Sequence, residues 1–92
     1  MEAIQNTVNE LRTHVKQIKG TVIHLQREAA FYEEEASYLQ QEGMNATWYL
    51  RHAKTYREEA AFYTSEFKHY LALLKNAEDD RYLYHFWDER IA

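Results

Sequence analysis

Apolar residues recur at alternating steps of three and four along the first part of the chain. They are Met1, Ile4, Val8, Leu11, Val15, Ile18, Val22, Leu25, Ala29, Tyr32, Ala36 and Leu39. This seven-residue repeat holds without a slip until Gly43 and predicts one helix over about residues 2–41 with a narrow apolar seam. At 1.5 Å per residue that helix is roughly 60 Å long. A seam of this kind is unfavourable in water, so the rest of the chain is expected to cover it. Valine, leucine and isoleucine fill its first half; Ala29, Tyr32, Ala36 and Leu39 fill the second. Gly20 falls opposite the seam, where a cost of about 1 kcal/mol relative to alanine is tolerable. With Thr21, Val22 and Ile23 it marks a candidate bend.

Residues 42–45 read as a stop and a restart. Gly43 suits the left-handed residue that ends a helix, and Asn45 can cap the next one. The repeat then resumes at Ala46, Tyr49, Ala53, Tyr56, Ala60, Tyr63, Phe67, Tyr70, Leu74 and Ala77, predicting a second helix over 46–78. Folding it back about Gly43 sets Ala36 opposite Tyr49, Tyr32 opposite Ala53, Ala29 opposite Tyr56 and Leu25 opposite Ala60. Further on, Val22 meets Tyr63, Ile18 meets Phe67 and Leu11 meets Leu74. Large against small in each layer is what close packing requires. A parallel dimer would instead stack tyrosine on tyrosine and alanine on alanine. The fold class is therefore all-α, an antiparallel two-helix hairpin forming a single domain over residues 1–92. Glu28-Ala29-Ala30-Phe31-Tyr32 recurs as Glu59-Ala60-Ala61-Phe62-Tyr63 in the same register of its own seam, through duplication or through one packing problem solved twice.

The repeat decays after Ala77, and residues 76–80 read as a fray or second cap. A short C-terminal helical segment is expected over 80–91, where Leu83, Trp87 and Ile91 share a face at helical spacing. It would fold onto Met1 and Ile4 or be offered to a partner.

A two-helix hairpin has one interface and is marginal in water. This chain has apolar residues to spare: Phe31 and Tyr38 on the first helix, with Trp48, Phe62 and Leu73 on the second, lie on one flank. An exposed aromatic strip marks an association surface. Two hairpins meeting there would make a four-helix bundle. Phe31, Tyr38, Trp48, Phe62, Leu73, Leu83, Trp87 and Ile91 are thus the candidate partner-binding residues, for a protein partner or a second copy as a homodimer.

Composition narrows the function classes. Proline is absent and glycine occurs twice, in keeping with long helices. A net charge of −4 argues against binding a nucleic-acid backbone, and Arg12, Lys16, Lys19 and Arg27 are dispersed among acidic neighbours in the sequence. With no cysteine there is no disulfide, thiol chemistry or thiolate metal site. No apolar run is long enough for a membrane span and no signal peptide begins the chain, so a cytoplasmic location is expected. The alternative is secretion without a cleavable signal peptide.

Candidate chemistry is sparse. His24 and Glu28 are four residues apart, Glu59 should face Glu28 across the hairpin, and Glu35 should face His52. Two copies of that set could approach in a dimer as in carboxylate-bridged metal bundles. The bland reading makes these residues exposed interhelical pairs of under about 1 kcal/mol each. Glu66-Phe67-Lys68-His69 has a metal-ligand spacing, but Glu66 should lie opposite Thr21 with no partner carboxylate in line. Glu33-Glu34-Glu35 reads as solvated surface. Ser37 and Ser65 lack a neighbouring His–Asp arrangement, and there is no glycine-rich phosphate loop. No catalytic residue and no cofactor is expected.

Trp48 close behind the turn and the tail Tyr84-His85-Phe86-Trp87-Asp88 resemble the WXG (ESAT-6-like) proteins of type VII secretion. Those are cysteine-poor dimeric helical hairpins with a Trp-x-Gly motif at the turn and a Tyr-x-x-x-Asp export signal. Trp48-Tyr49-Leu50 lacks the glycine of that motif; Gly43 precedes the tryptophan instead. The resemblance implies a secreted protein or co-secreted partner, with Tyr84 and Asp88 as export determinants. Two further functions stand beside it. One is a non-catalytic interaction module, a small regulator, inhibitor or adaptor; the other is a ferritin-like metal-binding bundle using His24, Glu28, Glu35, His52 and Glu59.

Overall fold

The computed structural model describes the backbone of residues 2–91 and the side chains of residues 7–79. It consists of two helices, α1 (Glu2–Gln41) and α2 (Thr47–Ile91), packed antiparallel along their length. The molecule is a slender rod, 75 × 17 × 13 Å. Among the described residues there is no strand, and no helix is long and apolar enough to cross a membrane.

The reversal is built from backbone bonds that the sequence dictates. Gly43 takes φ 75°, the left-handed conformation that glycine adopts without a Cβ penalty. That turn directs the Met44 amide onto the Leu39 carbonyl at 2.8 Å and the Gly43 amide onto the Gln40 carbonyl at 3.1 Å. The pair forms a Schellman closure, which satisfies carbonyls that a helix end leaves open. Asn45 Oδ1 then accepts the Thr47 amide at 2.9 Å, and the Ala46 carbonyl accepts the first bond of α2 from Leu50. Gly20 does not interrupt α1, which is helical through 20–23.

Seam positions fill the interface as their spacing requires. Val8, Val15, Ile18, Leu25, Ala29 and Ala36 are buried on α1, as are Ala46 just before α2 and Ala53, Ala60 and Leu74 on it. Away from the turn, Val8, Val15 and Leu74 form a core against which Leu11, Phe67, Tyr70 and Ala77 pack. Toward the turn the buried residues are alanines, and half-buried tyrosines lie over them. Tyr32 stacks on Tyr56 with ring centres 5.6 Å apart and planes within 11°, and it touches Tyr49 at 6.0 Å. Tyr63 is the most open of the seam tyrosines, at 37% exposure.

One expected boundary is corrected. The second helix does not end at 78 with a separate segment over 80–91; α2 runs unbroken from Thr47 to Ile91. Asn76, Asp79 and Asp80 are weak helix formers, but each costs only about 0.7 kcal/mol or less relative to alanine, and no glycine or proline is present to stop the helix. Glu78, inside the expected break, is also held from α1: Arg12 Nη2 lies 2.9 Å from Glu78 Oε1. The side chains of Leu83, Tyr84, Trp87, Asp88 and Ile91, and any contact they make with Met1 or Ile4, lie outside the described residues.

Candidate functional site

The hairpin has two flanks, one on either side of the seam. Phe31, Tyr38, Trp48 and Phe62 each stand one residue before a seam residue, namely Tyr32, Leu39, Tyr49 and Tyr63. In an antiparallel pair that places all four on the same side. Each is more than half exposed: 53%, 59%, 56% and 60% respectively. Leu73, on the same side, is exposed as well. The expected strip of Phe31, Tyr38, Trp48, Phe62 and Leu73 is therefore present and open.

Near the turn this strip is a connected set of rings. Phe31 meets Tyr32 edge-on at 5.3 Å, Tyr32 meets Trp48 at 5.9 Å, and Trp48 lies 4.0 Å from the His52 ring. The first two contacts are edge-to-face and fix ring orientation as well as adding to burial; the third is tilted, with its planes at 48°. Exposed Phe31 and Trp48 thus have their inner edges braced and their outer faces free. Farther along, Phe62 meets Tyr63 at 5.2 Å. Tyr56 lies under this strip. Partial burial raises its phenol above the ordinary value, followed by the influence of Tyr32, Glu28 and Glu59.

The other flank carries features that the sequence reading missed. Arg57 Nη2 bonds Glu33 Oε1 at 2.6 Å, and Arg12 bonds Glu78, both pairs crossing between helices. Ile23, Leu50 and Leu71 are exposed there too. A shallow, open depression lies along it, lined by Ala60 and Ala61 among Gln26, Arg57, Thr64 and Lys68. Once the tyrosine–alanine layers set the register, these interhelical partners follow from the repeat, and no other signal is needed to find them.

The residues weighed as metal ligands are not brought together. Among the described residues no group of three or more His, Asp or Glu side chains could hold a metal ion, so His24, Glu28, Glu35, His52 and Glu59 do not form a site within one hairpin. The expected Glu35–His52 pair is also absent among the described ion pairs. His52 turns its ring to Trp48 and to Tyr32, the latter at 5.4 Å, where ring packing replaces a solvent-exposed charge contact. His14 and His69 likewise lie against Tyr70, at 4.3 Å and 5.2 Å.

Comparison of the chain with protein-family models, with curated proteins and with solved structures found no match.

Proposed function

We propose that this chain is a non-catalytic protein-interaction module, a small regulator, inhibitor or adaptor whose contact surface is the aromatic flank. The observation that carries the reading is the alignment of Phe31, Tyr38, Trp48 and Phe62, each more than half exposed, on one side of the rod. Aromatic side chains supply large contact area with little rotamer entropy to lose, and they dominate the centres of interfaces. A hairpin with a single interface also gains stability when that flank is covered, and a second hairpin covering it would complete four helices.

Photo-crosslinking in the native host tests this. A crosslinker at Phe62 or Tyr38 should capture a protein, whereas one at Arg27, on the exposed back of α1, should not. Phe31→Ala should weaken capture from position 62 while helicity by circular dichroism is retained. Equal capture from Arg27, or none from the aromatic flank, overturns the reading.

A further inference from the structure

The cations that look dispersed in the sequence are segregated in space. Along the aromatic flank lie Glu10, Glu28, Glu35, Glu42, Glu59 and Glu66, with His14, His24, His52 and His69, and among the described residues no lysine or arginine. The opposite flank carries Lys16, Lys19, Lys54, Lys68 and Lys75, all exposed. Among the described residues its two acidic ones, Glu33 and Glu78, are already engaged by Arg57 and Arg12.

Shape divides the same way. The repeated Glu-Ala-Ala-Phe-Tyr sets Phe31 on the aromatic flank and Ala30 on the basic one, one residue and about 1.5 Å of rise apart. Phe62 and Ala61 repeat the arrangement on α2. Ala61, with Ala60, lines the depression between Arg57 and Lys68. Each helix therefore shows a projecting ring on one side and a small residue at the same height on the other.

We infer that the partner covering the aromatic flank is a second copy of this chain, presenting its basic flank in register. Phenylalanines then face alanines, Trp48 comes to the height of Leu50, Leu73 to that of Leu71, and Glu66 to that of Lys68. Two aromatic flanks meeting symmetrically would instead set carboxylates against carboxylates with no lysine or arginine between them among the described residues, an arrangement that interfaces avoid. A face 75 Å long and 17 Å wide has room for the roughly 800 Å² per partner of a stable interface. Because the two contacting surfaces differ, every added copy leaves one flank of each kind open, and hairpins stack into linear oligomers. The inference rests on the aromatic flank being a contact surface, as proposed above.

Sedimentation velocity of the full chain tests it. At about 0.05 M salt the mass should climb with concentration past the dimer, and about 0.5 M salt should lower it by screening the exposed charges. Ala61→Glu with Lys68→Glu closes the basic flank; Glu59→Lys with Phe62→Lys closes the aromatic one. Each double variant alone should self-associate more than about a hundredfold more weakly, because like charges are then forced together in an interface. Mixed, the two should associate again in alternating order, since their unaltered flanks pair and the reversed charges at 61 and 68 meet those at 59 and 62. Wild-type protein that stays monomeric overturns the inference. So does dimerisation of the basic-flank variant by itself, which is the mark of a symmetric contact, or a mixture that stays monomeric while both variants keep wild-type helicity. If position 62 cross-links to a different protein and the chain is monomeric, the interaction module stands and the second copy falls.

Discussion

Arg57 clasps Glu33 at two points across the hairpin, Nη2 to Oε1 at 2.6 Å and Nε to Oε2 at 3.4 Å. Arg12 and Glu78 repeat the contact with the charges exchanged between helices. Three seven-residue repeats along α1 lead from Arg12 to Glu33, and three repeats back along α2 lead from Glu78 to Arg57. Sliding one helix by a single repeat would set Arg12 against Leu71 and Glu33 against Leu50, or in the opposite direction Arg12 against His85 and Glu33 against Thr64, losing both clasps. The polar pairs therefore agree with the register that the tyrosine–alanine layers set.

The clasp has a pH signature. The hydrogen bond from Arg57 holds the Glu33 carboxyl below its ordinary value, with partial burial opposing it. A depressed folded value means that the stabilisation is fully present above the unfolded glutamate value of about 4.3 and is lost as pH falls through the lowered one. Both side chains are nearly half exposed, so the effect is small and screened by salt. Glu33→Gln should lower the melting temperature slightly at pH 7, and the two melting curves should converge in acid. A difference that persists below the glutamate range would assign the loss to packing.

The two glycines predict opposite responses to one substitution. Gly43→Ala forces a Cβ into the left-handed region and should cost about 1–2 kcal/mol, although nothing crowds the site. Gly20 is helical and exposed with open space around it, so Gly20→Ala should add about 0.5–1 kcal/mol. Urea unfolding of both variants measures the pair. Stabilisation by Gly43→Ala would mean that the turn does not depend on positive φ.

Much of this architecture is legible in the sequence, because each buried position repeats a spacing and the layers nearest the turn pair a ring with an alanine. Leu11, Ile18, Tyr32, Ala53 and Ala60 all take their expected places. Glu78 shows why one boundary fails: the weak helix formers Asn76, Asp79 and Asp80 suggest a stop, whereas Glu78 between them is tied to α1 by Arg12. His52 shows why site chemistry is harder to read. Face and height follow from the repeat, but whether an imidazole turns to Glu35 or to Trp48 depends on a rotamer, which spacing does not encode.

Size at the seam should outweigh hydrophobicity. Ala53 is 3% exposed beneath a tyrosine layer, and Ala53→Leu should cost about 1–3 kcal/mol through overpacking. Leu25, at 6% exposure, should cost about 2–5 kcal/mol on truncation to alanine. Ala72 is exposed on the back of α2, so Ala72→Leu should fall within about 0.5 kcal/mol of wild type. Chemical denaturation of the three variants checks the order; a neutral Ala53→Leu would show that the layers near the turn are loosely packed.

Tyr56 offers a test of the tyrosine layer from the alkaline side. Its ring is stacked on Tyr32, and Glu28 and Glu59 lie close enough to oppose a phenolate. Partial burial acts in the same direction and is the largest cause, so the folded protein holds this proton above the ordinary tyrosine value. An unfolded chain releases it at about pH 10. Between that pH and the raised folded value the unfolded state binds fewer protons, and stability must fall as pH rises. Below pH 10 the proton is on in both states and adds no slope. Tyr56→Phe keeps the ring and removes the titration, so urea midpoints measured from pH 9 to 11 should decline less steeply for the variant than for the wild type. Ultraviolet titration of the folded wild type should show one phenol ionising late, and that late step should be missing from Tyr56→Phe. Parallel urea profiles would place the Tyr56 ring in free solvent and separate it from the stack with Tyr32.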